Sequence, residues 1–265
     1  MLRDFTKEEF DVIVLAGQSN GEGHGIGDVD NPYHSNPDVW FLNNDFYLNE
    51  SFTITPATER ARGNEVQSNF GLTFAEEYIK SGRLSAGRRL LIVRAAVGGT
   101  GFLDGRWGMT DDLYLCMIDM IQTAISLNPK NRLVAMLWHQ GETDIMNGAT
   151  YDRHYKNLMS LLTSVRERFD APELPFVAAD FVHEWKLCNE ETVAPVEKAI
   201  RDVCKESKYS AFVETDGLKS NLQELDRLPW SPGGWKDNIH FSRKSVYELG
   251  KRYFDAYIDI VKNNE

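Results

Sequence analysis

Four short stretches of this 265-residue chain carry side chains that can do chemistry. Gly17-Gln18-Ser19-Asn20-Gly21 follows a run of branched apolar residues and sets a serine between glycines. Val97-Gly98-Gly99-Thr100 follows a second apolar run. His139-Gln140-Gly141-Glu142-Thr143-Asp144 follows a third. Asp237 and His240 stand three positions apart, just before the last amphipathic stretch. A serine hydroxyl is a poor nucleophile at neutral pH. It needs a base to take its proton and donors to hold the oxyanion that forms. A tight strand-to-helix turn would expose the hydroxyl and aim backbone N–H groups at the reacting carbon. Gly17–Gly21 fits the G-x-S-x-G form of a nucleophile elbow. Only one strand precedes it, whereas the α/β-hydrolase arrangement places several there. A helix cap is the plainer role for the same serine. Nucleotide-binding loops are excluded: no register yields GxGxxG, and no G-K-[ST] follows.

Six histidines are candidates for the base: His24, His34, His139, His154, His183 and His240. His240 stands out because Asp237 precedes it by one turn. That spacing lets the carboxylate reach the Nδ1 side while Nε2 faces outward, which fixes the tautomer and stabilises the imidazolium. A solvated aspartate beside a helix-start histidine is the bland alternative. His183 follows a strand and is a candidate pocket residue. His154 falls within a helical stretch, exposed or packed, and His24 and His34 lie in loops with no supporting pattern.

These stretches need elements to hold them. Val12–Ala16, Leu90–Val97, Leu133–Trp138 and Pro175–Phe181 read as buried strands, with shorter ones at Val39–Leu42 and Ala211–Val213. Helices are expected over Phe70–Ser81, from an N-cap at Thr110 through Ile125, over Thr150–Arg168 and Val193–Lys205, and over Arg243–Val261 capped by Ser242. Gly17–Pro32 reads as a long loop. Strands alternate with helices, and the strands are continuous apolar runs, as when both faces are covered. The expected fold is α/β: one three-layer, doubly wound domain over residues 1–265 with a mostly parallel sheet. In such sheets ligands sit at the carboxyl ends of the strands. Each chemically loaded stretch falls at a strand end or in a loop that can reach one.

Composition narrows the partners. Hydrophobic residues make up 42% of the chain, enough for a sizeable core, and the formal net charge is -11. Such a surface repels nucleic acid and anionic membrane, so neither is expected as a partner. Three scattered cysteines with no CxxC point to free thiols. No run approaches the apolar length of a membrane span and no signal peptide is visible, so a cytoplasmic protein is expected. Nothing in the sequence bears on oligomeric state.

The four stretches, in this order, resemble the SGNH-hydrolase superfamily, and more narrowly its sialate O-acetylesterase-like and acetylxylan-esterase-like carbohydrate esterases. The likeness spans Gly17 to His240. It implies a flavodoxin-like sheet and an esterase that removes acetyl groups from sugar hydroxyls without metal or cofactor. It also implies Ser19 as nucleophile, His240 as base and Asp237 as its orienter. The oxyanion would rest on the N–H of Ser19, a glycine N–H (Gly99 in preference to Gly98) and the Gln140 side-chain amide. The family often has methionine after GQSN where this chain has Gly21, a change expected to widen or loosen the site. Gln18, Asn20, Gly98, His139, Glu142 and Trp235 are expected to support the site or touch substrate. Glu142 is expected to back His139 or orient Gln140, or to compete for His240, and Asp144 to cap or anchor a loop. His139, Glu142 and Asp144 lie close, yet no HExxH and no second placed histidine makes them a metal set. Trp107, Trp230 and Trp235 lie in nearby loops and offer aromatic faces to a sugar, or simply pack. A sugar-binding module with little turnover and a lipid or thioester hydrolase are the competing functions.

Overall fold

A computed structural model describes residues 4–44, 52–224 and 236–264. Its centre is a seven-stranded sheet. In chain order the strands and helices are β1 (Glu9–Gly17), α1 (Ser19–Glu22), β2 (Val39–Asn43), β3 (Thr53–Pro56), β4 (Arg60–Arg62), β5 (Glu65–Gln67), α2 (Phe70–Lys80), β6 (Arg88–Arg94), α3 (Asp112–Ser126), β7 (Arg132–His139), α4 (Glu142–Met146), α5 (Tyr151–Arg168), β8 (Phe176–Ala179), α6 (His183–Leu187), α7 (Glu190–Glu206), β9 (Ser210–Val213), α8 (Asn221–Glu224) and α9 (Arg243–Lys262). The sheet order is β3-β2-β6-β1-β7-β8-β9, and β4 and β5 form a separate hairpin. All neighbours in the large sheet are parallel except β2 and β3.

β1 is the centre of this arrangement because both its faces are covered: Phe10 through Gly17 are buried. Trp138 and His139 mark the two faces, since neighbours on a strand point opposite ways. Trp138 packs on Phe102 and Trp107, ahead of α3. His139 packs on Phe70 of α2 and on Phe241, at the start of the α9 segment. α2 and α9 lie together, while α5 packs on α7, which covers β8 and β9. The chain runs from β1 outward to β2 and β6 on one side, then returns past β1 to β7 on the other. The carboxyl ends of β1 and β7 therefore flank the switch point, where a crevice opens.

Several boundaries differ from the sequence expectation. β6 ends at Arg94, not Val97, because Ala95 and Ala96 both donate to Leu15 O and leave the ladder. α3 takes Asp111, not Thr110, as its N-cap. α7 begins at Glu190, three residues before the expected Val193, with Pro195 inside it. The expected loop over Gly17–Pro32 contains α1, which at four residues is too short to show periodicity. The short strands β3, β4 and β5 were not expected, as each carries mostly exposed or half-buried residues without an apolar run. Among the described residues no helix is long and apolar enough to cross a membrane.

Candidate active site

Ser19 sits where β1 turns into α1. Gly17 adopts φ +117°, and a Cβ there would lie 2.1 Å from His139 O. Only glycine fits, because the ends of β1 and β7 touch: Gln18 N donates to His139 O at 2.8 Å. The turn leaves Ser19 6% exposed, at the start of α1. Its Oγ lies 2.9 Å from Nε2 of His240, 221 positions along the chain. Nδ1 of the same ring is 2.8 Å from Asp237 Oδ1. A carboxylate only accepts, so Nδ1 carries the proton of the neutral ring and Nε2 is left to accept from the serine hydroxyl. Asp237 also accepts from His240 N at 3.2 Å and, at its other oxygen, from Asn221 Nδ2 at 2.8 Å. Burial works to raise its pKa, but the bonds and charge of His240 and the Asn221 amide hold it below the usual carboxylate range.

Asn221 was invisible to motif reasoning. It begins the short α8 and ties three segments together. Besides Asp237 it donates to His24 O at 3.0 Å and accepts from Ile26 N at 3.0 Å. Its own N–H bonds His240 O, and Leu222 N bonds Asp237 O. A lone asparagine in a loop carries no signal of this kind.

Asn20 clamps the His240 loop from the other side. Its amide donates to Ile239 O and to Glu142 Oε1 at 2.8 Å, and its oxygen accepts from Phe241 N. Glu142 is fully buried, and burial raises its pKa. It therefore contacts Asn20 rather than Gln140. His139 lies 3.7 Å from the same carboxyl through Nε2, while its Nδ1 meets Tyr253 Oη at 3.2 Å. The Tyr253 proton goes to Trp138 O, so His139 Nδ1 is the donor. Burial drops the His139 pKa to about 3, leaving it neutral.

Asp144, not Glu142, bonds Gln140. Its carboxylate accepts from Gln140 Nε2 at 3.0 Å and from the N–H groups of Phe102 and Leu103, and it faces His154 Nδ1 at 3.3 Å. Burial opposes its ionisation, but His154 and the two backbone donors lower its pKa. Gln140 Nε2 has two further, long contacts, at 3.4 Å to Thr100 O and 3.5 Å to Gln18 Oε1. Gln18 Oε1 takes Thr143 N at 3.1 Å, which holds the start of α4 against β1. His154, expected exposed or packed, is buried, and His183 is exposed at the start of α6 away from the pocket.

A cavity of about 670 Å³ opens over Ser19 and His240, bounded by Gly98, Gly99, Thr143 and Ile239. Gly98 N donates to Glu22 Oε2 at 2.7 Å and is thereby engaged. Among the described residues Gly99 N has no hydrogen-bond partner, and the glycine itself, at φ +71°, faces open space. Gln140 is buried behind this wall. At Gly21 a Cβ would meet Ala96 Cβ at 3.2 Å, so the backbone of the elbow lies close to the segment after β6. Three more groups at the mouth had no motif: His24, whose ring stacks on His240 at 4.8 Å between centroids, and Arg60 and Arg62 from the β4–β5 hairpin. His24 lies 3.4 Å from Glu22. Burial opposes ionisation of Glu22, but His24, Gly98 N–H and Arg60 bring its pKa down to about 2. Trp107 is fully buried and donates to Thr100 Oγ1, so it packs the core and does not line the cavity. Trp230 and Trp235 lie outside the described residues. Among the described residues no three His, Cys, Asp or Glu side chains converge as a metal set.

Residues 9–259 match the protein family described as carbohydrate esterase, sialic acid-specific acetylesterase. The chain belongs to this family. Relatives of this carbohydrate esterase include the probable 9-O-acetyl-N-acetylneuraminic acid deacetylase of Escherichia coli K12, 23% identical over 120 residues that span only 37% of either chain. A probable carbohydrate esterase of Arabidopsis thaliana is 26% identical over 93% of this chain and 90% of its own. Among solved structures, NanS superposes with TM-score 0.79 at 17% identity, covering 97% of this chain and 98% of its own. A carbohydrate acetylesterase from Xanthomonas citri superposes with TM-score 0.64 at 16% identity over 96% of this chain and 56% of its own. At these identities the structural likeness speaks for the shared fold: a mostly parallel sheet flanked by helices.

Proposed function

We propose that this carbohydrate esterase removes O-acetyl groups from sugars through an acetyl-enzyme on Ser19. The single observation that carries the reading is the 2.9 Å approach of Ser19 Oγ to His240 Nε2, with Asp237 on the far side of the ring. His240 takes the serine proton as Oγ attacks the acetyl carbonyl. Asp237 keeps the ring in the required tautomer and stabilises the imidazolium, and Asn221 keeps Asp237 in place. The oxyanion is held by the N–H groups of Ser19 and Gly99 and by Gln140. Asp144 takes one amide hydrogen of Gln140, and the other, left to long contacts, is the one assigned to the oxyanion. His240 then protonates the departing sugar oxygen, and water activated by the same ring releases acetate. Thr143, Ile239 and the hairpin residues Arg60 and Arg62 contact the sugar. Glu22, Arg60 and Arg62 at the mouth offer charged hydrogen-bond partners to the hydroxyls of a sugar.

Ser19→Ala and His240→Ala should each nearly abolish p-nitrophenyl acetate cleavage while the thermal melt stays cooperative. Full activity in either variant removes that residue from the mechanism. Fluorophosphonate should label Ser19. Sugar binding without labelling or turnover would instead mark a binding module, and long-chain esters outrunning acetyl sugars would mark a lipid hydrolase.

A further inference from the structure

A second, narrower cavity of about 270 Å³ lies beside the one over Ser19. The two share a wall made by Glu22, Arg60 and Gly98. The narrow one opens at the carboxyl ends of β2 and β6, where a parallel sheet receives ligands. Leu113 and Met120 of α3 give it an apolar floor, while Asn43, Asn44 and Arg94 give it polar walls. Arg94 is the last residue of β6. Its guanidinium lies 4.8 Å from the Phe41 ring centroid. It donates to Asn43 Oδ1 at 3.1 Å and to Glu22 O at 3.3 Å, both uncharged acceptors.

Among the described residues no carboxylate pairs directly with Arg94. The nearby Glu22 carboxylate is already engaged by Gly98 N, Arg60 and His24. Burial and the charge of Arg60 push the Arg94 pKa down, offset in part by Glu22, but a guanidinium stays charged. It has five donors and spends two of them here. A half-satisfied guanidinium that lines a cavity, with no carboxylate bonded to it among the described residues, calls for an anion. Among the residues that line it, Arg94 and Arg60 outnumber the single carboxylate of Glu22, and the planar fork of Arg94 matches the two oxygens of a carboxylate.

We propose that this cavity is a carboxylate-binding site with Arg94 as its fork. The planar guanidinium pairs with the two carboxylate oxygens, and Arg60 and Asn44 flank them. The carboxylate is either a free small acid such as acetate or a group carried by an acidic sugar whose ester lies over Ser19. The second source rests on the esterase reading; the first does not.

Titration of [1-13C]acetate into the wild-type protein and into Arg94→Met, followed by NMR, tests the site without any turnover. Losing the charged fork should weaken binding by about ten-fold or more, with p-nitrophenyl acetate hydrolysis unchanged. A second arm compares kcat/KM for an O-acetylated acidic sugar with that for its methyl ester. If the substrate carries the carboxylate, the wild type prefers the acid and Arg94→Met loses that preference. If the acid is free, acetate affinity falls and the acid-to-ester ratio stays the same. Should Arg94→Met fail to fold, Arg94→Lys keeps the charge without the fork and is expected to move the same readouts in the same direction. Equal acetate affinity and an equal acid-to-ester ratio in the wild type and a folded variant overturn the site. Loss of all esterase activity in the wild type would sink the esterase reading alone, since the acetate titration still decides the cavity.

Discussion

At the scale of single residues, what surrounds the Ser19–His240 pair matters as much as the pair itself. The Asn221 side chain bonds both Asp237 and the backbone of the His24–Ile26 segment. Asn221→Ala frees one carboxylate oxygen of Asp237 and unties that segment. The expected result is a fall of about ten- to a hundred-fold in kcat with KM little changed, because orientation and not sugar contact is lost. Steady-state kinetics on an acetylated sugar would check it, and an equal rise in KM would show a binding role instead. Two other residues contribute to the response to acid, alongside the lowered carboxyls of Asp11, Asp144 and Asp237. Glu22 has a folded pKa near 2 against an ordinary 4.5, so its stabilising contribution is complete above about pH 4.5 and is lost as pH falls toward 2. His139, near 3 when folded against an ordinary 6.5, stays neutral while the unfolded chain takes up a proton, so stability also falls from about pH 6.5 toward 3. Urea melts across this range should show Glu22→Gln flattening the lower part of the slope and His139→Gln the upper part. Parallel curves for wild type and both variants would count against these assignments.

At the scale of elements, the site depends on how closely β1 and β7 end. Gly17 is the point of contact, and any Cβ there meets the His139 carbonyl while the backbone sits at positive φ. Gly17→Ala should cost about 3 kcal/mol or more, since strain and overlap add. Activity should fall with it, because the same turn presents Ser19. A chemical-denaturation midpoint equal to wild type would mean the two strand ends can part without loss. Helix caps read more easily. Ser242 accepts from Ser245 N and Thr150 accepts from Arg153 N, where a short polar residue precedes an amphipathic run. Asp111 stands at the cap position in place of Thr110 but makes no side-chain cap bond there; its carboxylate accepts from Gly108 N instead, a turn contact that residue type alone does not reveal.

At the scale of the whole molecule, the sheet divides its labour between its ends. Asp11, near the start of β1, is fully buried and bonded to Arg88, Arg132 and Tyr78. Burial opposes its ionisation, but the two arginines and the phenol lower its pKa. Ser19 lies eight residues on, roughly 25 Å away along the strand. Asp11→Ala takes a buried acceptor from Tyr78 and from two arginines, of which Arg88 keeps Glu9 and two carbonyls and Arg132 is half exposed, and should cost about 1–3 kcal/mol. Activity per folded molecule should stay near wild type, as the loss lies at the opposite edge from the chemistry. Calorimetry paired with active-site titration would check both halves, and a large drop in kcat without loss of stability would contradict the division.

What the chain's linear order determined was the alternation of buried runs with amphipathic ones, and the fact that each run ends in residues able to do chemistry. That much is local: burial on both faces writes a continuous apolar strand, and a 3.6-residue period writes a helix. Residue types at strand ends and their order along the chain were legible for the same reason, and with them the α/β layering and the family likeness. Tertiary structure alone decided which of those ends meet. It turned Gln140 toward Asp144 and Glu142 toward Asn20, although Glu142 lies nearer to Gln140 in sequence. It brought in Asn221, His24 and the β4–β5 hairpin, whose lone polar residues have no periodicity to read. It also placed Arg94 in a cavity of its own. Crossovers between parallel strands set these meetings over a hundred or more residues, and no short-range pattern encodes a distance of that kind.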